Sequence, residues 1–405
     1  MSILGLLPLL VGGVGVYLLL RLRFFYILHP IRTAREIASA LRDRDSRRSL
    51  ALALAGTLGV GNIFGVAAGL MIGGAGCLFW LFVSSIFSMV IKYSETLLTS
   101  DVKGGRGFSD LLSLPFSVIY ASLIVLLSLF MGSALQSAAV IDVAECGLGI
   151  RPAFTGIILL ALLLPCLVHG VEKIEKITEI IIPLTTIIYI IMCFCVIFMN
   201  FKHLSSAISD ILSSAFKPIS VASGVIPVAM REGFSRGILS NEAGIGSSSM
   251  AHIRGGRRSP HVAGLFGIAE VLFDTTLLCG LTGLAILTCG VNISSFSTPM
   301  SLVTAVFVST LGNFSGYLLT FLILSFAYAT IICWYFYGSE ICRHRGFAIA
   351  FIVFLLLPLV AKMDFIVFST DLIIFFMSLI VLPRIIKGRD RIDLLSRECL
   401  NESDS

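Results

Sequence analysis

Apolar runs of about 20 residues recur along almost the whole chain, and no other feature constrains the fold as strongly. Each run is long enough to cross a hydrocarbon core of about 30 Å as a helix. The composition agrees, because 57% of the 405 residues are hydrophobic and only 13% are charged. Most runs are apolar on every face, and they lack the alternation of a membrane β-barrel. The chain is therefore predicted to be an all-α polytopic membrane protein.

The sequence predicts one transmembrane domain over residues 1–405. It comprises a leading helix (3–20), a first repeat (49–200), a second repeat (219–385) and a tail (386–405). The eleven predicted spans are 3–20, 49–72, 75–99, 113–141, 153–169, 180–200, 219–252, 261–288, 315–338, 346–361 and 364–385.

The basic residues predict the orientation, because cytoplasmic loops carry an excess of Lys and Arg. A dense arginine cluster between the first two spans, residues 21–48, places that loop in the cytoplasm and the N-terminus outside. Eleven crossings then place the C-terminus in the cytoplasm. The predicted outer loops hold few basic residues: Arg151, Lys202, Lys217 and Lys362.

Other functional classes find little support in the sequence. The ten cysteines lie mostly inside apolar spans and form no CxxC, so we interpret them as small hydrophobic residues of a helix bundle. The net charge of +5 resides in loops and does not indicate nucleic-acid binding. No HExxH, GxSxG or paired-aspartate motif lies at membrane depth, so no enzymatic activity is expected. No organic cofactor is expected either, and the oligomeric state is open.

Two apolar spans carry glycine-rich interruptions, GTLGVGNIFG at 56–65 and SNEAGIGSS at 240–248. Glycine costs about 1 kcal/mol per residue inside a helix. One interpretation is close helix packing, since Gly61 and Gly65 form a GxxxG pair. The other is an unwound stretch that lines a buried polar site. The two interruptions open two sets of five spans, which is the inverted-repeat pattern of secondary transporters and favours the second interpretation. The free N–H groups of such breaks can bind a carboxylate, and their free carbonyls suit a small cation.

The residues around both interruptions resemble the alanine or glycine:cation symporter family. The similar segments are GTLGVGNIFGVAAGLMIGGAGCLFWLFVSSIFSMVIKYSETLL, REGFSRGILSNEAGIGSSSMAHI, FDTTLLCGLTGLAIL, GSALQSAAVID and, more weakly, SFAYATIICWYFYG. The resemblance implies a leucine-transporter-like fold with one leading helix, ten core helices and broken first and sixth core helices. It also implies import of alanine or glycine across a bacterial-type inner membrane, driven by Na⁺ or H⁺.

The resemblance assigns individual positions to the site. The residues that match the family's substrate-binding motifs, with the flanking Ser240, are Thr57, Gly59, Gly61, Asn62, Gln136, Ser240, Asn241 and Gly244. The cation is expected between the first broken helix, at the carbonyls of Ala55 and Leu58, and the ninth span, at Thr330. Family members usually carry two adjacent hydroxyls in the ninth span, whereas here Ala329 replaces the first. An ion-independent amino-acid exchanger of the same fold is therefore the alternative.

Ionisable residues inside the spans are expected to be paired or functional, because burial at the bilayer centre costs at least about 3 kcal/mol. Glu242 is interpreted as a gate or lock that pairs with Arg231, Arg236 or Arg254, with substrate contact as the alternative.

Two more predictions concern ionisable groups. Lys92 and Glu95 are one helical turn apart and are interpreted as an internal ion pair. Asp274 is an isolated acid in the eighth span and a candidate proton site.

Overall fold

Helices coincide with every predicted span in the part of the chain that the computed structural model describes. That part comprises residues 6–102, 107–169, 171–217, 227–247, 249–254 and 259–402, and it contains no strand. The start of the predicted span 219–252 and Ser248 lie outside the described residues.

The leading segment and the first repeat form the following helices, apart from short turns at Phe25–Leu28 and Gly107–Leu111. They are α1 (Leu7–Arg21), α2 (Pro30–Ala40), α3 (Arg44–Thr57), α4 (Gly61–Gly73), α5 (Gly76–Ser100), α6 (Leu114–Leu148), α7 (Pro152–His169) and α8 (Val171–Met199).

The connection that follows, the second repeat and the tail form the remaining helices. They are α9 (Leu204–Ala215), α10 (Val228–Asn241), α11 (Ser249–Arg254), α12 (Pro260–Cys289), α13 (Pro299–Leu311), α14 (Asn313–Ile341), α15 (Gly346–Leu356), α16 (Met363–Lys387) and α17 (Arg389–Glu402).

Within the described ranges, six helices are long and apolar enough to cross a membrane, and the bent pair α3 and α4 makes a seventh. Three predicted spans, α1, α7 and α15, are shorter apolar helices. The second broken span divides into α10, with 14 residues, and α11, with six, so neither half is long enough alone.

Four helices lie where the sequence predicted loops or a tail: α2, α9, α13 and α17. A search for runs of about 20 apolar residues passes over them because they are shorter or more polar than a membrane span. In α13, Pro299 stands in the first turn and Thr298 caps the helix by accepting a bond from the Ser301 N–H at 3.2 Å.

Glycines bring α5 into close contact with a helix on each side. A Cβ at Gly233 of α10 would lie 2.6 Å from the Cys77 carbonyl oxygen, and one at Gly267 of α12 would lie 2.9 Å from the Lys92 carbonyl oxygen. Small residues at membrane helix contacts allow such backbone approach. The packing of α10 and α12 against α5 places the second break and the middle of α12 beside each other.

Ion pairs join several segments that the sequence places in the cytoplasm. Arg21 at the end of α1 contacts Asp390 at 2.7 Å. Arg391 contacts Asp101 at 2.7 Å, and Arg48 contacts Glu179 at 3.1 Å. These segments therefore share one side of the molecule, and their cytoplasmic location stays a prediction.

Candidate functional site between two broken helices

The first break separates α3 from α4, whose axes differ by 49°. Leu58 leaves helical geometry with φ −73° and ψ 62°, and the chain resumes as a π-helical turn at Gly61–Gly65. Thr57, Leu58 and Asn62 are all buried. Backbone groups released at such a break need partners, because no water is available in the hydrocarbon core.

Side chains of α14 satisfy the carbonyl end of this break. The Thr330 hydroxyl donates to the Ala55 carbonyl at 2.9 Å, and the Trp334 indole N–H donates to the Gly56 carbonyl at 3.2 Å. The structure thus brings together Ala55 and Thr330, two of the predicted cation ligands. Ala329 is fully buried beside them and contributes no hydroxyl.

Gln136 of α6 supports the amide end of the break. Its Oε1 accepts the Val60 N–H at 3.0 Å, and its Nε2 donates to the Met131 carbonyl at 3.2 Å. The side-chain amide is therefore engaged at both ends and positions the break. Direct contact between Gln136 and substrate stays a prediction.

The second break follows Asn241, the last residue of α10. Glu242, Gly244 and Gly246 take φ values of 57°, 79° and 80°, so the chain turns through the left-handed region three times. Glycine adopts such angles without a steric penalty, which explains two of the three positions. The Asn241 side chain stabilises the turn, because its Oδ1 accepts the Ala243 N–H at 3.0 Å.

Lys92 lies against this break and does not form the predicted ion pair with Glu95. Its ammonium donates to the Asn241 carbonyl at 2.8 Å and lies 3.4 Å from Glu270 Oε2, in α12. Glu95 accepts the Gly244 N–H at 3.0 Å. The two side chains therefore support the same break through different partners.

The predicted lock between Glu242 and an arginine of α10 is also absent from the described residues. Glu242 accepts a hydrogen bond from the Ser247 hydroxyl. Arg236 lies six residues earlier, about 9 Å along the helix axis, and the left-handed turn carries Glu242 away from it. The Arg254 side chain lies outside the described residues.

Arg236 pairs instead within α10 and with α16. Its Nη2 donates to Glu232 Oε2 at 3.0 Å, and its Nη1 lies 3.8 Å from Asp371 Oδ2. Arg231 pairs with the other oxygen of Glu232 at 2.9 Å.

Asp274 joins the two breaks. Its carboxylate accepts hydrogen bonds from the Asn62 side chain of the first broken helix and from the Ser240 hydroxyl of the second. The Thr275 hydroxyl donates to the same carboxylate at 2.9 Å and accepts the Asn241 amide at 3.0 Å. Three polar side chains, from both broken helices and α12, therefore donate to one carboxylate, and Asn241 bonds one of the three.

The position of Asp274 makes that carboxylate unusual. It is fully buried near the middle of the 30-residue helix α12. No basic side chain among the described residues lies within ion-pair distance of it. A carboxylate at this depth is a strong site for a cation, an ammonium group or a proton.

A small pocket opens beside Asn62 at the first break. In this conformation it is too narrow to admit a water molecule. It is lined by Leu58, Gly59, Asn62, Ile63, Tyr189, Leu278 and Phe326.

Three further buried polar residues of this region were not predicted from the sequence: Glu270, His252 and Thr275. Glu270 could have been identified from the sequence, because it is an acid inside an apolar span and is subject to the same energetic penalty as Asp274. No sequence feature distinguishes Thr275, or His252, which bonds Glu270.

Gly59→Ala is expected to lower the free energy of unfolding by about 1–3 kcal/mol, the usual cost of overpacking a core. A Cβ at this position would lie 2.8 Å from Gln136 Oε1 and 2.9 Å from Thr330 Oγ1, the side chains that stabilise the first break. Denaturant unfolding of the purified protein measures the change. Gly61→Ala is the control, because its Cβ would lie 3.8 Å from its nearest neighbour, the Leu239 carbonyl oxygen, and should be tolerated. Equal losses in both variants would contradict the steric argument.

Two broken helices that meet at a buried polar site within a bundle of apolar helices define the leucine-transporter-like class of secondary transporters. A comparison with solved structures supports this assignment of the fold. Mhp1, a nucleobase-cation-symport-1 family transporter, matches with a TM-score of 0.50 and 12% identity over 79% of this chain and 73% of its own.

Sequence comparisons identify the family within this class. The sequence model of the sodium:alanine symporter family matches residues 2–387. The "Sodium/alanine symporter AgcS" of Methanococcus maripaludis is 30% identical over 81% of this chain and 78% of its own. The "Probable sodium/glutamine symporter GlnT" of Bacillus subtilis is 29% identical over 82% of this chain and 73% of its own. The chain belongs to the sodium:alanine symporter family and is a multi-pass membrane transporter of amino acids.

Proposed function

We propose that this protein imports small neutral amino acids, alanine or glycine, by alternating access with Na⁺ or H⁺ as the coupling ion. The observation that carries the proposal is the convergence of both broken helices on the buried carboxylate of Asp274. A zwitterion needs an anionic partner for its ammonium and N–H donors for its carboxylate. Asp274 offers the first, and the first break offers the second.

The substrate carboxylate is assigned to the backbone between Thr57 and Asn62, where Gly61 leaves room for a ligand beside the chain. The ammonium is assigned to Asp274 and its neighbour Ser240. Asn241 and Gly244 shape the other wall of the site through the second break. The match of the sodium:alanine symporter model to residues 2–387 supports alanine as a substrate.

The cation is assigned to the carbonyl end of α3, between Ala55, Leu58 and Thr330. A helix C-terminus presents free carbonyls and partial negative charge, which suits a small hard cation. The Thr330 hydroxyl already lies 2.9 Å from the Ala55 carbonyl oxygen, so both atoms can face one ion. The protein is assigned to a bacterial-type inner membrane with the N-terminus outside.

Uptake of labelled alanine into proteoliposomes, with and without an inward Na⁺ gradient, tests this function. Accumulation above equilibrium that requires the gradient is expected. Accumulation driven by a pH gradient alone would identify H⁺ as the coupling ion. No alanine or glycine uptake under either gradient would overturn the proposal.

Ala329 favours one second candidate, an exchanger that has lost its ion dependence. The position is fully buried beside Thr330 and supplies no oxygen ligand. An exchanger would catalyse counterflow of alanine at the same rate with or without Na⁺, and it would never accumulate alanine above equilibrium.

Ala329→Ser is expected to lower the Na⁺ concentration for half-maximal alanine uptake by about tenfold. It adds a hydroxyl next to Thr330, and an oxygen contact to a charged group contributes about 1.5–3 kcal/mol. The Na⁺ dependence of initial uptake measures the change. Ser325→Ala is the control, because the Ser325 hydroxyl donates to the Phe321 carbonyl of its own helix at 2.8 Å. An unchanged Na⁺ dependence in Ala329→Ser would place the ion elsewhere.

A further inference from the structure

A second and larger cavity lies apart from the central pocket. Its volume is about 620 Å³, and it shares no lining residue with the central pocket. Its walls come from α4, α6 and α16 and from the loop before α13, and Arg236 of α10 also lines it. These walls include segments that the sequence places outside the cell, so the cavity is the expected approach to the site from that side. A volume of this size is within the range of small-ligand sites.

Acidic residues outnumber basic residues in the lining of this cavity. Four acids and one base line it: Asp142, Glu145, Asp364, Asp371 and Arg236. A ligand with net negative charge would be repelled by the acids, whereas a ligand that carries both an ammonium and a carboxylate could pair with both signs.

Arg236 is held firmly against this cavity. Only 6% of its surface is exposed. The aliphatic part of its side chain packs on the glycines of α4, since a Cβ at Gly69 would lie 3.2 Å from Arg236 Cγ. Its Nη2 donates a hydrogen bond to Glu232 Oε2 at 3.0 Å. Its Nε and Nη1 have no hydrogen-bond partner among the described residues, although Nη1 lies 3.8 Å from Asp371 Oδ2. Buried guanidinium donors without partners are costly, and a carboxylate is the ligand that satisfies them best.

We propose that Arg236 and Asp371 form an outer docking site for a neutral α-amino acid. The inference rests on the proposed function and adds a second amino-acid binding site to it. Arg236 binds the carboxylate of the incoming zwitterion and Asp371 binds its ammonium. The bound molecule then lies next to Phe64, whose chain neighbour Ile63 lines the central pocket, before it passes inward.

The size of the outer cavity makes the proposal testable. At about 620 Å³ it has room for a bulky amino acid, whereas the proposed function expects transport of small ones only. Such a molecule should occupy the outer site, block the approach of alanine and not be transported itself.

The test is inhibition of labelled alanine uptake in proteoliposomes by external L-phenylalanine and by phenethylamine, which lacks the carboxylate. L-phenylalanine is expected to inhibit the wild type without accumulating. Half-maximal inhibition of Arg236→Gln should require at least about ten times more L-phenylalanine than that of the wild type, because a hydrogen bond to a charged group is lost. Inhibition by phenethylamine should be the same in Arg236→Gln and in the wild type.

Asp371→Asn should weaken inhibition by both compounds, since both carry the ammonium. This variant also keeps the test open if Arg236→Gln fails to insert. Arg231→Gln is the matched control, because Arg231 pairs with the same Glu232 but does not line the cavity.

Three results would overturn the inference: no inhibition of the wild type by L-phenylalanine, inhibition unchanged in both Arg236→Gln and Asp371→Asn, or accumulation of labelled L-phenylalanine. A wild type that takes up neither alanine nor glycine would instead overturn the proposed function. In that case, thermal stabilisation of the wild type by L-phenylalanine, lost in Arg236→Gln, would still support the docking site.

Discussion

Asp274→Asn is expected to reduce alanine uptake at least about thirtyfold while leaving the protein inserted and folded. Removing one partner of a buried, hydrogen-bonded charge pair costs about 2–5 kcal/mol of binding free energy. Asparagine has the same shape as aspartate but only one acceptor oxygen. It can keep the bonds from Ser240 and Thr275, which share one carboxylate oxygen, while the Asn62 amide must turn to accept from the new amide group. The substitution therefore removes the negative charge at the point where the two broken helices meet, together with one acceptor.

Two measurements identify what that charge does. Thermal stabilisation by alanine reports binding, because a ligand of the folded state stabilises it by mass action. Counterflow of labelled alanine reports exchange without net coupling. Loss of both would support contact between Asp274 and the substrate ammonium, whereas retained binding and counterflow without accumulation would make Asp274 the proton site.

Asp210→Asn is the control for Asp274→Asn, because Asp210 is an exposed acid of α9. It should transport alanine like the wild type. Wild-type uptake and ion dependence in Asp274→Asn would show that the carboxylate is a structural hydrogen-bond acceptor, and the site would have to lie elsewhere.

The sequence predicted the two breaks because their signals are local. Glycine and asparagine inside an apolar run disfavour a continuous helix whatever packs around them. The contact between Ala55 and Thr330 was expected from the family resemblance, since no local pattern places residues so far apart in the chain side by side. Asp274 was recognised as an isolated acid, but its three hydrogen-bond donors come from α3–α4, α10 and α12 and emerge only from the packing.

Local spacing failed where long-range packing decides the partner. The i, i+3 relation of Lys92 and Glu95 predicted an ion pair within one helix. In the structure α12 approaches α5 closely at Gly267, which brings Glu270 of α12 to Lys92. Glu242 likewise has two arginines upstream in α10, but it lies just beyond the end of that helix, in a left-handed turn, and accepts a hydrogen bond from Ser247 instead.

Lys92→Met is expected to destabilise the protein by about 3–5 kcal/mol, the usual cost of leaving a buried charge without its partner. Lys92 and Glu270 are both fully buried, and removal of the ammonium leaves the Glu270 carboxylate with only His252. It also leaves the Asn241 carbonyl at the end of α10 without its donor. Unfolding free energy in detergent, measured by denaturant titration, reports the loss.

The double variant Lys92→Met/Glu270→Gln separates the two causes. If the unpaired carboxylate dominates, the double variant should regain most of the lost stability, because it removes the uncompensated charge as well. If the double variant stays as unstable as Lys92→Met, the bond to the Asn241 carbonyl is the essential interaction, and the ammonium serves to hold the second break. Arg48→Met is the matched control: its ion pair with Glu179 is partly exposed, so its loss should cost no more than about 1 kcal/mol. A stable single Lys92→Met variant would contradict both accounts and would mean that the break maintains its shape without a buried cation.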